Sequence, residues 1–389
     1  MVEKSKVKNT RIFVDRKFSD EGVHLISCSN CTIVGCDFSF NAIDKPMLSL
    51  KNCVNCVITR CKFHDKTTKG QLIKIQGENS KGNVIENCEF YNQTFDDENG
   101  GESVQIGLSP FSGCSFDTVI KNCYFHDLRA DAENISIKSC GNVIENNLFA
   151  NNYSNITFRH GGHNKVLNNV FIGSGGIRLY GDHNEVTGNY HFGNDDRKDD
   201  NEKHKKAKKF RPLLVGSGTS EDDPNFKSEG IASGKKGCSH HVYAQAKNNI
   251  IENNIYHNCK GVCVDWGYKI VELKEEDRNH PDKVCEENNG KKFRMKGPPL
   301  SENLPAINNS FKNNTLIADE ANLSSIMFVF AKHVKLQHKG NVNTFEGNKK
   351  FNGKFGKELL QRGEDILRNK PQMPFPSVGD WKRPEPKVI

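Results

Sequence analysis

Apolar and polar positions alternate with period two along much of the chain, in short runs closed by Asn, Gly or Cys. The runs share one pattern, N-x-V/I-x-x-N/C-x-F. It reads NCTIVGCDF (30–38), NCVITRCKF (55–63), NVIENCEF (83–90), TVIKNCYF (118–125) and NVIENNLF (142–149). It continues as NKVLNNVF (164–171), NEVTGNYHF (184–192), NNIIENNIY (248–256) and NNSFKNNTL (308–316). The second anchor of each copy is Cys36, Cys61, Cys88, Cys123, Asn147, Asn169, Asn189, Asn254 and Asn314. As far as Asn189 the anchors recur every 20 to 35 residues, the length of one solenoid coil. The two longer intervals read as coils carrying inserted loops.

The copies are rich in β-branched residues and lack apolar positions at helical spacing, so the repeat is built of strands. Asn or Cys at one place in every coil suits a ladder in which side-chain amides hydrogen-bond along the axis. Phe two residues later stacks inside. The expected fold is all-β, a right-handed parallel β-helix, because parallel crossovers are right-handed. It occupies residues 1–349 as one domain, with insertions at about 194–237 and 267–305. Residues 350–389 form a Pro-rich tail or cap. An open solenoid end exposes pairing edges, so a cap is expected. The first insertion carries NDDRKDDNEKHKKAKK, which suits a solvated loop or a polyanion-binding one.

Composition adds three constraints. The 14 Cys are too few for so long a chain to be a disulfide scaffold, and Cys31, Cys36, Cys56, Cys61, Cys88 and Cys123 fall inside the repeat. They read as small packed residues rather than zinc ligands, the Cys53-Val54-Asn55-Cys56 pair included. The net charge of +7 favours an anionic partner. No apolar run reaches the roughly 18 residues of a membrane span, so no membrane is expected as a partner. The opening MVEKSKVKNTRIF has no apolar core of a signal peptide, which leaves localisation open. No aromatic stacking platform or motif points to nucleic acid. A monomer is expected.

The chemistry concentrates in 99–183, in NGGESVQIG (99–107), DAENISIKS (131–139), NITFRHGG (155–162) and GGIRLYGDH (175–183). Alternation turns Ile135 and Ile137 inward and Lys138 outward, Ile156 and Phe158 inward and Arg159 outward, Ile177 and Leu179 inward and Arg178 outward. The three cations then fall on adjacent coils of one face, within about one residue of register. Coils stack about 4.8 Å apart, so such a row of like charge is costly unless an anion sits in it. Asp131 and Glu133 precede the Lys138 strand, and Asn99 and Glu102 lie one coil earlier. Their oxygens suit Ca²⁺, and equally suit turn chemistry and plain ion pairs.

These four segments on an Asn-laddered β-helix resemble polysaccharide lyase family six, the alginate lyase and chondroitinase B family. The resemblance spans residues 25–320 in repeat style and is most specific in NGGE, ENISIKS, FRHG and GGIRxxGxH. It implies Lys138 as Brønsted base, Arg159 as the proposed acid, and Asn99, Asp131 and Glu133 as calcium ligands. It implies Gln105, His160, Arg178 and His183 as substrate-binding positions. Two departures stand out: Asp131 stands where Glu is expected, and Gln105 where the family often has Arg. Fewer coils are expected before Asn99 than is usual in the family.

The implied reaction is calcium-assisted β-elimination on an acidic polysaccharide, alginate first. Lys138 removes the C5 proton, alpha to the uronate carboxylate, and the O4 bond breaks to leave a C4–C5 double bond. Guanidinium gives up a proton reluctantly, so Arg159 is read as an electrostatic stabiliser or a relay with water. The alternatives are a lyase acting on dermatan sulfate or another uronan, and a non-catalytic glycan-binding β-helix. A glycoside hydrolase would use a carboxylate pair and leave Lys138 and Arg159 without purpose.

Overall fold

The computed structural model describes residues 22–193 apart from 42–43 and 95–98, then 211–216, 218, 243–257, 259, 306–317 and 343–348. It also describes the strands Lys6–Lys8, Arg11–Val14, Lys235–Lys236, Val262–Tyr268, Val284–Glu287, Lys292–Arg294, Met327–Phe330 and Lys349–Phe351. Most of the two insertions and the tail from 352 lie outside these residues.

Three parallel sheets of 11, 11 and 10 strands run the length of the solenoid as a right-handed parallel β-helix. Among the described residues each coil contributes one strand to each, except the last, which adds none to the ten-stranded sheet. In one coil these are Glu133–Lys138, Val143–Glu145 and Leu148–Ala150. Pairing is in register from coil to coil in the repeat sheets, as in Val143↔Lys165 and Phe149↔Phe171. The first insertion departs from the expected loop: Leu213–Gly216 pairs with Ile177–Leu179 as a coil strand. The two insertions also meet in a small antiparallel sheet, where Lys235 pairs with Glu287. Among the described residues no helix is long and apolar enough to cross a membrane.

Two side-chain ladders run through each coil where the repeat suggested one. The first passes from Asn142 through Asn164, Asn184, Asn249 and Asn309 to Asn343, each backbone N–H donating to the next Oδ1 at 2.8–3.0 Å. The second passes from Cys123 through Asn147, Asn169, Asn189, Asn254 and Asn314 to Asn348 in the same way. In the second ladder each Asn amide from Asn147 to Asn348 also donates to a carbonyl of the preceding coil, as Asn169 does to Ile144 O at 2.9 Å. Ladder residues follow a residue of positive φ: Asn146 (55°) before Asn147, Asn168 (53°) before Asn169, His163 (57°) before Asn164. Asn tolerates that conformation better than most side chains. The doubled Asn-Asn of the repeat is therefore a corner followed by its ladder rung.

Between the ladders the V/I positions and the aromatics stack. Phe38, Phe63, Phe90, Phe125, Phe149 and Phe171 lie ring on ring at 4.5–5.1 Å. His191 continues the stack at 4.3 Å from Phe171, and burial pushes its pKa down to about 3. Among the described residues the cysteines other than the partly exposed Cys28 are buried packing residues, as expected. Cys36, Cys61, Cys88 and Cys123 extend the second ladder toward the N-terminus, with Cys36 N–H donating to Cys61 Sγ. Cys28 and Cys31 stack over Cys53 and Cys56, and all four thiols are free.

Candidate active site

The site lies on the outer face of the ten-stranded sheet, across the strands Val104–Gly107, Glu133–Lys138, Asn155–His160 and Ile177–Leu179. The inward residues are as the alternation predicts, with Ile135, Ile137, Ile156, Phe158, Ile177 and Leu179 buried. The outward row runs Lys74, Gln105, Ser136, Thr157, Arg178 in register.

Of the three cations only Arg178 shares that row. The pairing slips between Ile137 and Lys138, so Lys138 lies opposite His160 and Arg159 is the unmatched residue of a bulge. Bulges re-aim side chains, and here one turns Arg159 toward the coil below. A second slip between Glu133 and Ile135 leaves Asn134 unmatched and keeps Glu133 opposite Asn155. Arg159 Nη1 then donates to Glu133 Oε1 at 3.1 Å, and Arg178 Nη2 donates to the same oxygen at 2.7 Å. Ser136 Oγ donates to Glu133 Oε2 at 2.5 Å. The anion that a row of cations demands is supplied by the chain itself. Burial opposes the charge on Glu133, but Arg178, Arg159 and Lys138 hold its pKa down at about 2. Glu133 in turn holds Arg159 above its ordinary value against the opposing effect of burial.

The acidic side of the site is one coil away. Lys138 Nζ lies 3.4 Å from Glu102 Oε1, and Gln71 Nε2 donates to Glu102 Oε2 at 2.7 Å. Asp131 Oδ2 accepts from the N–H groups of Gly100 and Gly101 at 2.8 and 3.3 Å, and Oδ1 from Glu133 N–H at 3.0 Å. Burial and the carboxylates of Glu102 and Glu133 push Asp131 up to about 7. Asn99 is exposed at the turn that Asp131 ties down. Among the described residues no three His, Cys, Asp or Glu side chains are gathered so as to hold a metal ion. Each of the three carboxylates instead serves donors of the chain.

Gln105 is buried, donating to Gly107 O at 2.9 Å and accepting from Gln71 at 3.2 Å. His160 is buried beside Lys138. His183 lies apart: it occupies a positive-φ corner, half exposed, with Nδ1 3.2 Å from Asp182 Oδ2 and its ring stacked on His163. Gln71 and two tyrosines that no motif marks also belong to the site. The Arg159 guanidinium lies over the Tyr243 ring at 5.5 Å, Tyr243 stacks on Tyr180 at 4.5 Å, and Arg178 lies over Tyr180 at 5.8 Å. Tyr180 stands in the GGIRLYGDH segment, but Tyr243 comes from a distant part of the chain with no motif around it.

Comparison with known proteins agrees with this architecture. No curated protein matches the chain by sequence. A family-six alginate lyase in complex with a trisaccharide superposes with a TM-score of 0.54 at 17% identity, over 90% of this chain and 78% of that one. A mannuronic-acid-specific family-six lyase from human gut microbiota gives 0.53 at 17%, over 89% and 79%. The family-six polysaccharide lyase of Pseudopedobacter saltans gives 0.52 at 17%, over 90% and 87%. At that identity the likeness is one of fold. The chondroitinase B family model matches residues 8–202, half of the chain, and takes in Lys138, Arg159, Arg178 and Glu133. The chain therefore belongs to the chondroitinase B family and is a polysaccharide lyase of family six.

Proposed function

We propose that the protein cleaves an alginate-type uronan by β-elimination, with Lys138 as the base. One observation carries the reading: Lys138, Arg159 and Arg178 surround a buried glutamate on the open sheet face, where a polyanion can lie across the coils. The alginate lyases of like fold support the choice of substrate.

The residues divide the work as follows. The proton on C5 of a uronate is weakly acidic because the adjacent carboxylate spreads the developing charge. Lys138 Nζ takes that proton as the general base. Its 3.4 Å contact with Glu102 is longer than the ~2.7–2.9 Å of a tight charge-assisted bond, so the amine is steered without being locked. Arg159 remains a cation because Glu133 stabilises its charge, and so it acts on the substrate electrostatically rather than as a proton donor. The C5–H electron pair forms the C4–C5 double bond, the C4–O4 bond breaks, and O4 takes its proton from water. Arg178, His160 and Gln105 line the same face as substrate contacts.

Calcium belongs to the proposal. Its donor set is hard oxygen from Asn99, Asp131 and Glu133, and the like-charge pressure that raises Asp131 is what a divalent cation relieves. Bound there, calcium supplies neutralisation of the uronate carboxylate. A sulfated uronan such as dermatan sulfate is the second reading, favoured by the description of the family model.

The test is ultraviolet absorbance of the unsaturated product on alginate, poly-mannuronate, poly-guluronate and dermatan sulfate, with calcium and with chelator. Alginate is expected to respond. Lys138→Ala is expected to lose about 10²–10⁴ in kcat while still binding oligosaccharide. A flat trace on all four would sink the lyase reading, and loss of binding together with turnover in Lys138→Ala would favour a glycan-binding role.

A further inference from the structure

Two arginines that converge on one carboxylate oxygen repel each other, and each needs something on its far side to hold it there. Beyond Glu133 that support is aromatic. Arg159 lies over Tyr243 and Arg178 over Tyr180, and the two rings stack at 4.5 Å and 20°. Both tyrosines are buried, at 2% and 1% exposure, so the ring faces offered to the guanidiniums are shielded from water and fixed by packing. The pair is built in from behind as well. A Cβ on Gly216 would meet the Tyr180 ring at 2.0 Å, so only glycine lets the ring lie flat against that strand. A Cβ on Gly218 would meet the Gln245 backbone at 2.4 Å, so a second glycine admits the segment that carries Tyr243.

We infer that Tyr180 and Tyr243 form a stacked positioning pair that holds Arg159 and Arg178 at the reacting end of the site through their ring faces. The inference deepens the lyase reading and rests on it for its kinetic consequence. The Tyr243 ring, not its hydroxyl, is the working part. It supports Arg159 from the side opposite the substrate and keeps the guanidinium aimed while charge develops. Tyr243 is thus a positioning residue acting through Arg159, and it ties a segment reached only after the first long insertion to the catalytic coils.

The experiment compares Tyr243→Phe with Tyr243→Leu in the full chain, after thermal melts have shown both to be folded. Leu removes the π face and Phe keeps it. Tyr243→Leu is expected to lower kcat on the order of tenfold or more with little change in KM, and Phe to restore most of it. Crystal structures of both variants supply a readout independent of turnover. In Tyr243→Leu the Arg159 guanidinium should leave Glu133 while the Lys138–Glu102 contact stays, and in Tyr243→Phe it should remain. A Phe variant as inactive as Leu would make the hydroxyl the working group and overturn the inference. So would a Leu variant that keeps both Arg159 and kcat in place. If the wild-type enzyme cleaves none of the uronans, the lyase reading falls and the crystallographic arm alone decides the positioning pair.

Discussion

Glu133 accepts the Arg178 guanidinium at 2.7 Å through the same oxygen that accepts Arg159. That carboxylate is nearly inaccessible, and it turns a repulsive pair of cations into a preorganised one. A buried pair broken on one side leaves an uncompensated charge. Glu133→Gln therefore leaves the buried Arg178 and the half-buried Arg159 without their counter-ion. The expected loss is about 3–5 kcal/mol in urea unfolding, with kcat falling as Arg159 and Arg178 separate. Wild-type stability in the variant would mean that solvent or another group neutralises the arginines.

Asp131 carries the calcium prediction. Its carboxylate sits against Glu102 and Glu133 and organises the Gly100–Gly101 turn. Asp131→Asn keeps an acceptor for the turn but removes the charge. Calorimetric titration should show calcium affinity lowered by about tenfold or more, the size of one coupling of about 1.4 kcal/mol. Calcium affinity unchanged in Asp131→Asn, or no binding heat in the wild type, would remove this carboxylate from the ligand set.

His191 sets an acid limit on stability. Its folded pKa lies near 3, below the ordinary value of about 6.5, because it is buried within the aromatic stack. A folded-state pKa that is depressed gives stability that is complete above the unfolded value and is lost as pH falls toward the folded one. Between pH 6.5 and 3 each unit costs about 1.4 kcal/mol from this residue. His191→Phe places a ring between Phe171 and Tyr256 that cannot take a proton. Urea unfolding at pH 7 and pH 5 should show an acid loss smaller by about 2 kcal/mol in the variant. Parallel curves for the two proteins would exclude His191 as a source of the acid loss.

The ladders predict a steep cost for a single amide. Asn169 accepts from Asn147 N–H and Nδ2 and donates to Ile144 O and Asn189 Oδ1. Asn169→Ala strands buried donors and a carbonyl on the preceding coil, at about 1–3 kcal/mol each. Denaturant midpoints should fall accordingly. The same change at exposed Asn151, a corner residue, should cost much less. Equal costs at the two positions would mean that the ladder contributes no more than a turn.

Much of the fold was legible because its determinants are local and repeated. Each corner needs a residue that accepts positive φ, followed by an inward amide or thiol, then an alternating run. That grammar is written once per coil, and stacking copies of it leaves little choice but a parallel β-helix. It also explains why the second anchor of the repeat stood out as a ladder and the first did not. Where Gly, His or Asp replaces the corner Asn, as at Gly141, His163 and Asp117, the doubled Asn that draws attention is gone although the ladder continues.

The site was legible only in its parts. Lys138, Arg159, Arg178, Asp131 and Glu133 could be named from the sequence, because motif residues on adjacent outward positions must lie on one face. Their partnerships were decided by tertiary structure. A one-residue slip in the pairing of Glu133–Lys138 with Asn155–His160 leaves Arg159 unmatched and turned toward Glu133, and period-two alternation carries no trace of such a slip. His183 shares a motif with Arg178 but lies beyond the next corner, since a turn between two residues separates them whatever their spacing. Tyr243 reaches Arg159 because a chain segment returns to the sheet after a long excursion, guided by glycines that leave room for it. The sequence by itself determined the coil, its alternation and the list of reactive groups, because those follow from backbone preferences within one repeat. Which charge meets which was decided only when the coils stacked, because that depends on offsets of a few ångströms between strands far apart in the chain.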